Sequence, residues 1–304
     1  MPTPQPGIFA LGTRSHHHLE LDLAPGADRA AVVAALGALR EPRVTSGAAN
    51  LVIGFGSSAW ALVAPGEPPA GSGPFTELVG RDGHRAPATQ HDVWAWIHGS
   101  GADTVLDCAV AVAGALAGVA TVADETPCFV YHDSRDLTGF VDGTANPSPT
   151  AAPAVACVPD GQAGAGGSHV LAQRWVHDLT SFSRLRVDDQ EAVIGRTKPD
   201  SVALPGDSRP SDSHISRAEV HDDQGRERPV YRRSTPFGTV AERGLFFLAF
   251  SAERDRFDQM LGSMYGTEGR EQRDRLLDFS RPVTGSYYFA PSVEDLVALG
   301  ANAG

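Results

Sequence analysis

Three short segments hold the residue types that do chemistry: Gly139-Phe-Val-Asp-Gly-Thr-Ala-Asn-Pro147, Asp212-Ser-His-Ile-Ser-Arg217 and Tyr231-Arg-Arg-Ser-Thr-Pro-Phe-Gly238. They offer a carboxylate at Asp142, an imidazole at His214 and guanidiniums at Arg232 and Arg233: a proton carrier, a base or metal ligand, and fixed positive charge. Each has a plainer reading. Asp142-Gly143 is a favoured turn pair, and Asn146-Pro147 opens another turn. An Asp-Gly-Thr triplet serves phosphoryl transfer when a nucleophilic carboxylate stands two residues before the Asp, and here that place is Phe140. His214 lies in a polar stretch that reads as a loop. Arg232-Arg233 stands near the apolar Gly244-Leu-Phe-Phe-Leu-Ala-Phe250, so partial burial is expected, and a buried Arg needs an anionic partner. His16-His17-His18 looks like a metal cluster, but a strand sends neighbours to opposite faces, so three adjacent imidazoles cannot meet one ion. A strand edge with at most adventitious metal binding is expected there.

The elements that must position these groups follow from hydrophobic period. Leu19 to Leu23 alternates as a half-buried strand, Asp28 caps a helix through Leu39, and Asn50 to Gly56 is a second strand. Residues 65 to 87 are a Gly/Pro-rich loop. His91 to His98 and Pro127 to His132 are strands flanking a helix that Asp103 opens. This order is a split β-α-β unit of ferredoxin-like type. After a Pro/Ala/Gly linker, whose Gly-rich run lacks phosphate-loop spacing, the order recurs. His169 to His177 is a strand, Val187 to Gly195 starts as a helix, and Gly244 to Phe250 is a buried strand. Arg254 to Met264 is helical and Thr284 to Phe289 is the last strand. The expected organisation is α+β, with an N-terminal half over 1–147, a linker over 148–167 and a C-terminal half over 168–304.

Composition bounds the function. With 304 residues, 41% of them hydrophobic, the chain has ample material for a core. A net charge of -12 argues against nucleic acid or an anionic membrane as partner. The most apolar stretch, Val105 to Val122, is Ala/Gly-rich and reads as a core helix rather than a membrane span. Cys108, Cys128 and Cys157 form no CxxC and no disulfide framework, and the first residues carry no export signal, so a cytoplasmic location is expected.

Taken together and in order, the segments resemble the dye-decolourising peroxidases. The resemblance runs from Pro4-Gln5-Pro6-Gly7-Ile8 to Tyr288-Phe289-Ala290-Pro291. It includes the GxxDG signature at Gly139 to Gly143, with His91-Asp92-Val93-Trp94, Gln173-Arg174-Trp175-Val176-His177-Asp178 and Ile194-Gly195-Arg196-Thr197-Lys198. Compact length and the missing export signal are most similar to the short cytoplasmic subgroup. The resemblance implies two tandem ferredoxin-like halves with antiparallel sheets, one haem b per chain bound mainly in the C-terminal half, and reduction of hydrogen peroxide with oxidation of organic donors such as dyes and phenols through a ferryl intermediate. It also implies a homo-oligomer. No C-terminal extension follows the last elements, so encapsulation is not expected.

By position, His214 matches the axial iron ligand, and His177 is the alternative, read as a hydrogen-bonded structural His. Arg196 matches the propionate-binding Arg, whose fork suits a carboxylate. Asp142 and Arg232 match the catalytic pair on the open face, for proton movement and charge stabilisation. Val141, Gly143, Thr144 and Ser234 fall beside the cofactor, and Leu248 and Phe250 are expected to wall the pocket. Asp278 matches the carboxylate that orients the axial imidazole. Ala145 stands where many relatives carry Glu, so a second channel carboxylate is missing. A haem carrier or iron-releasing protein is the alternative function; it has no need of both Asp142 and Arg232. A chlorite-converting enzyme of similar fold has no role for the signature Asp.

Overall fold

Strand β1 (Ser15–Leu23) shows how the two halves meet. Leu19 and Leu21 point into a core beneath helices α1 (Arg29–Ala38) and α2 (Ala102–Leu116), while His16, His18 and Glu20 point the other way. The alternation predicts a solvated polar face. In the computed structural model, which describes residues 2–39, 49–64, 67–267 and 272–301, that face is buried, with Glu20 only 2% exposed. A second sheet covers it.

The first half contributes β1, β2 (Asn50–Phe55), β3 (Val93–Gly99) and β4 (Ala120–Phe129). Their order in space is β4-β1-β3-β2, every neighbour antiparallel, with α1 and α2 as crossovers. The second half repeats this with β5 (Ser168–His177), β6 (Tyr231–Arg232), β7 (Thr235–Gly238), β8 (Arg243–Ser251), β9 (Ser280–Pro282) and β10 (Ser286–Ala290). Its order is β10-β5-β8-β6, with β7 on β8 and β9 on β5. Both halves are therefore ferredoxin-like. They join edge to edge at the Phe289–Phe55 pairing of β10 and β2, and their inner faces enclose a shared core of Val52, Trp94, Trp96, Phe246, Leu248 and Phe250.

Asp28 caps α1 as expected, accepting from Ala31 N. Two boundaries differ from the sequence reading. Strand β4 starts at Ala120 rather than Pro127; as the outermost strand it exposes most of its residues, so Thr121 to Glu125 carry no hydrophobic alternation to mark it. The linker contains a short helix, α3 (Ala152–Ala156). His16 to His18 lie on an interior strand, not an edge: β1 has neighbours on both sides. His16 and His18 enter the shared core, whereas His17 reaches Glu125 at 2.6 Å on the other face. Among the described residues no group of three His, Cys, Asp or Glu side chains could hold a metal ion. No helix among them is long and apolar enough to cross a membrane.

Candidate functional site

The signature loop explains its own glycines. Gly139 and Gly143 adopt φ of 92° and 75°, left-handed values that a side chain would strain, and they bracket Asp142 with two reversals. The loop is anchored on both sides: Asp142 N donates to Ser134 O at 3.0 Å, and Val141 N to Ser201 Oγ at 3.1 Å. Arg135 pins it further, donating to the carbonyls of Gly139 and Lys198. Asn146 then ties this loop to a distant strand. Its amide donates to Arg232 O at 2.8 Å and accepts from Arg232 N at 2.9 Å, as a paired strand would. Asp142 and Arg232, far apart in sequence, are thereby held in register across one cleft.

That cleft encloses about 1110 Å³, its open mouth included. Asp142, Arg232, His214 and Arg196 all line it, with Val141, Gly143 and Thr144. Ser234 lines an adjoining cavity that shares Asp142, His177, His214 and Arg232 with the cleft, and accepts from Leu248 N. Among the described residues no hydrogen bond or ion pair holds the Arg232 guanidinium. Burial holds the Asp142 carboxyl above its usual range, Arg232 opposing and Asp136 adding to the rise. Arg196 donates to Ser201 O, and burial pushes its pKa down, with Glu219 opposing and the cations of Arg232 and Arg209 adding to the fall.

His214 opens the short helix α4 (His214–Ala218), where the sequence reading expects a loop, and is half-buried. Its Nδ1 lies 2.6 Å from Oδ2 of Asp274, a carboxylate with no exposure. This corrects the expectation for Asp278, which instead pairs with Arg273 at 2.6 Å and remains 43% exposed. The reason is local geometry. Asp274 caps the 3-10 turn Arg275–Asp278 through Leu276 N, and at three residues per turn a position four further on is rotated by about 120°. The capping pattern in Asp274-Arg-Leu276 was the signal available in the sequence.

Leu248 and Phe250 are a second correction. Both point into the core between the sheets, while Leu245 and Phe247 of the same strand line the cleft. Strand parity decides this, since successive side chains alternate faces. Arg233, odd to Arg232, likewise turns away from the cleft. It donates to the carbonyls of Ile8 and Ala10 and lies over Trp96, so its burial is satisfied without an anion.

His177 lines the cleft with both ring nitrogens engaged, Nδ1 with Ser280 at 2.7 Å and Nε2 with Asp136 at 3.1 Å. Burial pushes the Asp136 carboxyl up, but His177 and two bonds from Thr138 bring it to about 2. Ala145 is exposed on the rim; Glu219 and Glu227 bring further carboxylates to the cleft. The arrangement thus presents a carboxyl with raised proton affinity, a free guanidinium, and an imidazole whose Nε2 has no partner among the described residues.

The family description "Dyp-type peroxidase, N-terminal" matches residues 5–130, and "Dyp-type peroxidase, C-terminal" matches 133–295. A dye-decolorizing peroxidase of Rhodococcus erythropolis is 39% identical over 257 residues, covering 84% of this chain and 75% of the relative. One from Mycobacterium tuberculosis is 38% identical over 81% of this chain and 74% of its own. Among solved structures, a DypB variant of Rhodococcus jostii RHA1 in complex with heme aligns at a TM-score of 0.92, with 34% identity and coverage of 98% and 99%. The encapsulated DyP-type peroxidase of Mycobacterium smegmatis aligns at 0.91, with 34% identity and coverage of 97% and 98%.

Proposed function

Because the chain belongs to the Dyp-type peroxidase family, we propose that its cleft is the haem site, with His214 as axial ligand, Arg196 as propionate partner, and Asp142 and Arg232 acting on peroxide. The protein is a haem peroxidase that reduces hydrogen peroxide and oxidises organic donors. When bound, haem supplies the redox-active iron that accepts oxidising equivalents from peroxide and hands them to the donor.

The residues fit such a group. Asp274 fixes the imidazole with its proton on Nδ1, which leaves the Nε2 lone pair free as a ligand. The cleft walls are apolar at Val141, Ile194, Leu245, Met260 and Leu276, as a flat macrocycle requires, and Arg196 offers charge for an anionic edge. Asp142 takes the proton from peroxide and returns it to the departing oxygen. Arg232 stabilises the negative charge that develops as the O–O bond breaks. The observation that carries this reading is the convergence of Asp142, His214 and Arg232 on one cleft, with His214 held by a buried carboxylate. The same proposal includes one haem b per chain, a division into halves at 148–167, a homo-oligomeric state and a cytoplasmic location. Free Cys108, Cys128 and Cys157 support the last, and exposed Leu106 and Val110 on α2 support an oligomer.

Asp142 tests the reading through pH. It acts as a base only when ionised, so the rate of reaction with peroxide rises with pH through its pKa. That limb is expected above the ordinary 3.8, because burial raises the carboxyl. Asp142→Asn is expected to keep haem and lose the limb; stopped-flow absorbance across pH checks it, and an unchanged limb assigns the proton to another group.

Asn146→Ala removes both bonds to the Arg232 backbone, each worth about 1 kcal/mol. Loss of register is expected to slow the peroxide reaction by about tenfold at unchanged haem content. Parent-like rates would show that the clamp does not position the pair. Arg196→Leu is expected to speed haem dissociation by about fivefold, the value of an ion pair of roughly 1 kcal/mol. Unchanged transfer to apomyoglobin would place the propionates elsewhere.

A further inference from the structure

The core between the two sheets holds polar groups that the peroxide site does not use. Trp96, Trp94 and Tyr288 stack in series there. Their ring centroids are 6.3 Å apart for the first pair and 6.0 Å for the second, with interplanar angles of 19° and 17°. Both Trp residues have no exposure and Tyr288 has 3%. At one end, the Arg233 guanidinium lies 5.0 Å from the Trp96 ring centroid, held there by two backbone carbonyls. At the other, Tyr288 Oη donates to Glu20 Oε1 at 2.6 Å, with Glu20 itself buried. Burying a carboxylate costs several kcal/mol, and apolar side chains of similar volume commonly fill such space at equal or better stability. Packing alone does not account for the pair.

The stack is one strand away from the cleft. Phe247 and Arg232 line the cleft, while their neighbours Phe246 and Arg233 face the stack. Phe246 lies 3.8 Å from the His18 ring, which in turn stacks on Trp94 and Trp96 at 6.0 and 6.1 Å.

We propose that Trp96, Trp94 and Tyr288 form an internal relay for oxidising equivalents, with Tyr288 as its terminal radical site and Glu20 as the proton acceptor. The inference rests on the reading that haem occupies the cleft, where peroxide supplies the oxidant. One electron passes from Tyr288 through Trp94 and Trp96 to the oxidised centre, which is reduced by one equivalent. The phenolic proton moves from Oη to Glu20, breaking one O–H bond and forming another. The products are a neutral phenoxyl radical and a neutral carboxylic acid.

The surroundings set the direction. A fixed cation over Trp96 opposes removal of an electron from that ring, so a hole does not rest there. No cation lies over Trp94 among the described residues. Oxidation of Tyr288 with proton transfer turns a buried carboxylate into a neutral acid, and low-dielectric surroundings favour the form without charge. The hole therefore settles at Tyr288. Being buried, the site cannot meet a bulky donor; it stores an equivalent away from the cleft when no donor is bound.

Haem-loaded protein is mixed with one equivalent of hydrogen peroxide without donor, frozen within seconds and examined by electron paramagnetic resonance. A tyrosyl signal is expected whose splitting narrows in protein made with ring-deuterated tyrosine. It is expected to vanish in Tyr288→Phe and to lose most of its intensity in Glu20→Gln, which retains an oxygen acceptor but no base. Trp94→Phe is expected to lower the yield as well. Soret spectra and melting curves identify variants that keep the fold, and turnover of a small donor is expected to persist in Tyr288→Phe. A tyrosyl signal that survives Tyr288→Phe would move the radical to Tyr131, Tyr231, Tyr265 or Tyr287 and overturn the proposal. An undiminished signal in Glu20→Gln would remove Glu20 as acceptor. A parent whose Soret band responds to peroxide without any tyrosyl signal overturns the relay alone, whereas a Soret band indifferent to peroxide removes the haem-site reading with it.

Discussion

A His214→Ala protein is expected to lose its Soret band and to release haem during purification. In the proposed site the imidazole serves as the ligand through Nε2, since its Nδ1 is already committed to Asp274 at 2.6 Å. His177, the other imidazole of the cleft, has both nitrogens engaged. The substitution also strands a buried carboxylate, a defect that costs about 3–5 kcal/mol in comparable sites. Misfolding must therefore be separated from loss of the ligand. Exogenous imidazole does so: in a folded variant it enters the vacated space and restores the band, while an unfolded chain gains nothing. A full Soret band in the variant without added imidazole would remove His214 as the ligand.

Arg232→Leu is expected to retain haem and to react with peroxide about 10²–10³ times more slowly, the usual cost of losing one preorganised charge donor. The guanidinium is available for this role because no carboxylate of the described chain holds it in an ion pair. Stopped-flow absorbance measures the rate directly. A second effect accompanies the first. Arg232 opposes the rise of the Asp142 pKa, so in its absence the acid limb is expected to move to higher pH. A merely structural role for Arg232 would not shift that limb. If neither Arg232→Leu nor Asp142→Asn slows the reaction, the assignment of the peroxide chemistry to this pair is wrong, and a haem-handling role becomes the better account of the cleft.

Much of the fold was legible in sequence because its signals are local. Leu19 to Leu23 and His91 to His98 have the period of strands, Gly244 to Phe250 is an apolar run of strand length, and Asp28 marks a helix start. Strand β4 was only partly legible, since an outermost strand has no buried face along much of its length to impose a hydrophobic alternation. The site was legible where its residues lie in ordered motifs: Asp142, Arg196, His214, Arg232 and Ser234 all reach the cleft. It was illegible where the choice depended on rotation about an element. Asp274 and Asp278 share one turn, yet only the first faces His214. On β8, Leu245 and Phe247 reach the cleft and Leu248 and Phe250 do not, and both faces of that strand are apolar enough to have served.

The sequence by itself determined the two repeated β-α-β units, the family resemblance and the identity of the groups around the cleft. These depend on residue type and near-neighbour spacing, which a linear chain displays. The tertiary structure alone decided which carboxylate holds His214, which face of β8 meets the cleft, and that His16, His18 and Glu20 are core residues. Each of those depends on what packs against an element from far along the chain. Glu20 meets Tyr288 across 268 positions, and Asn146 meets Arg232 across 86. An alternating strand displays two faces to a reader of sequence, but only the second sheet determines that both are buried.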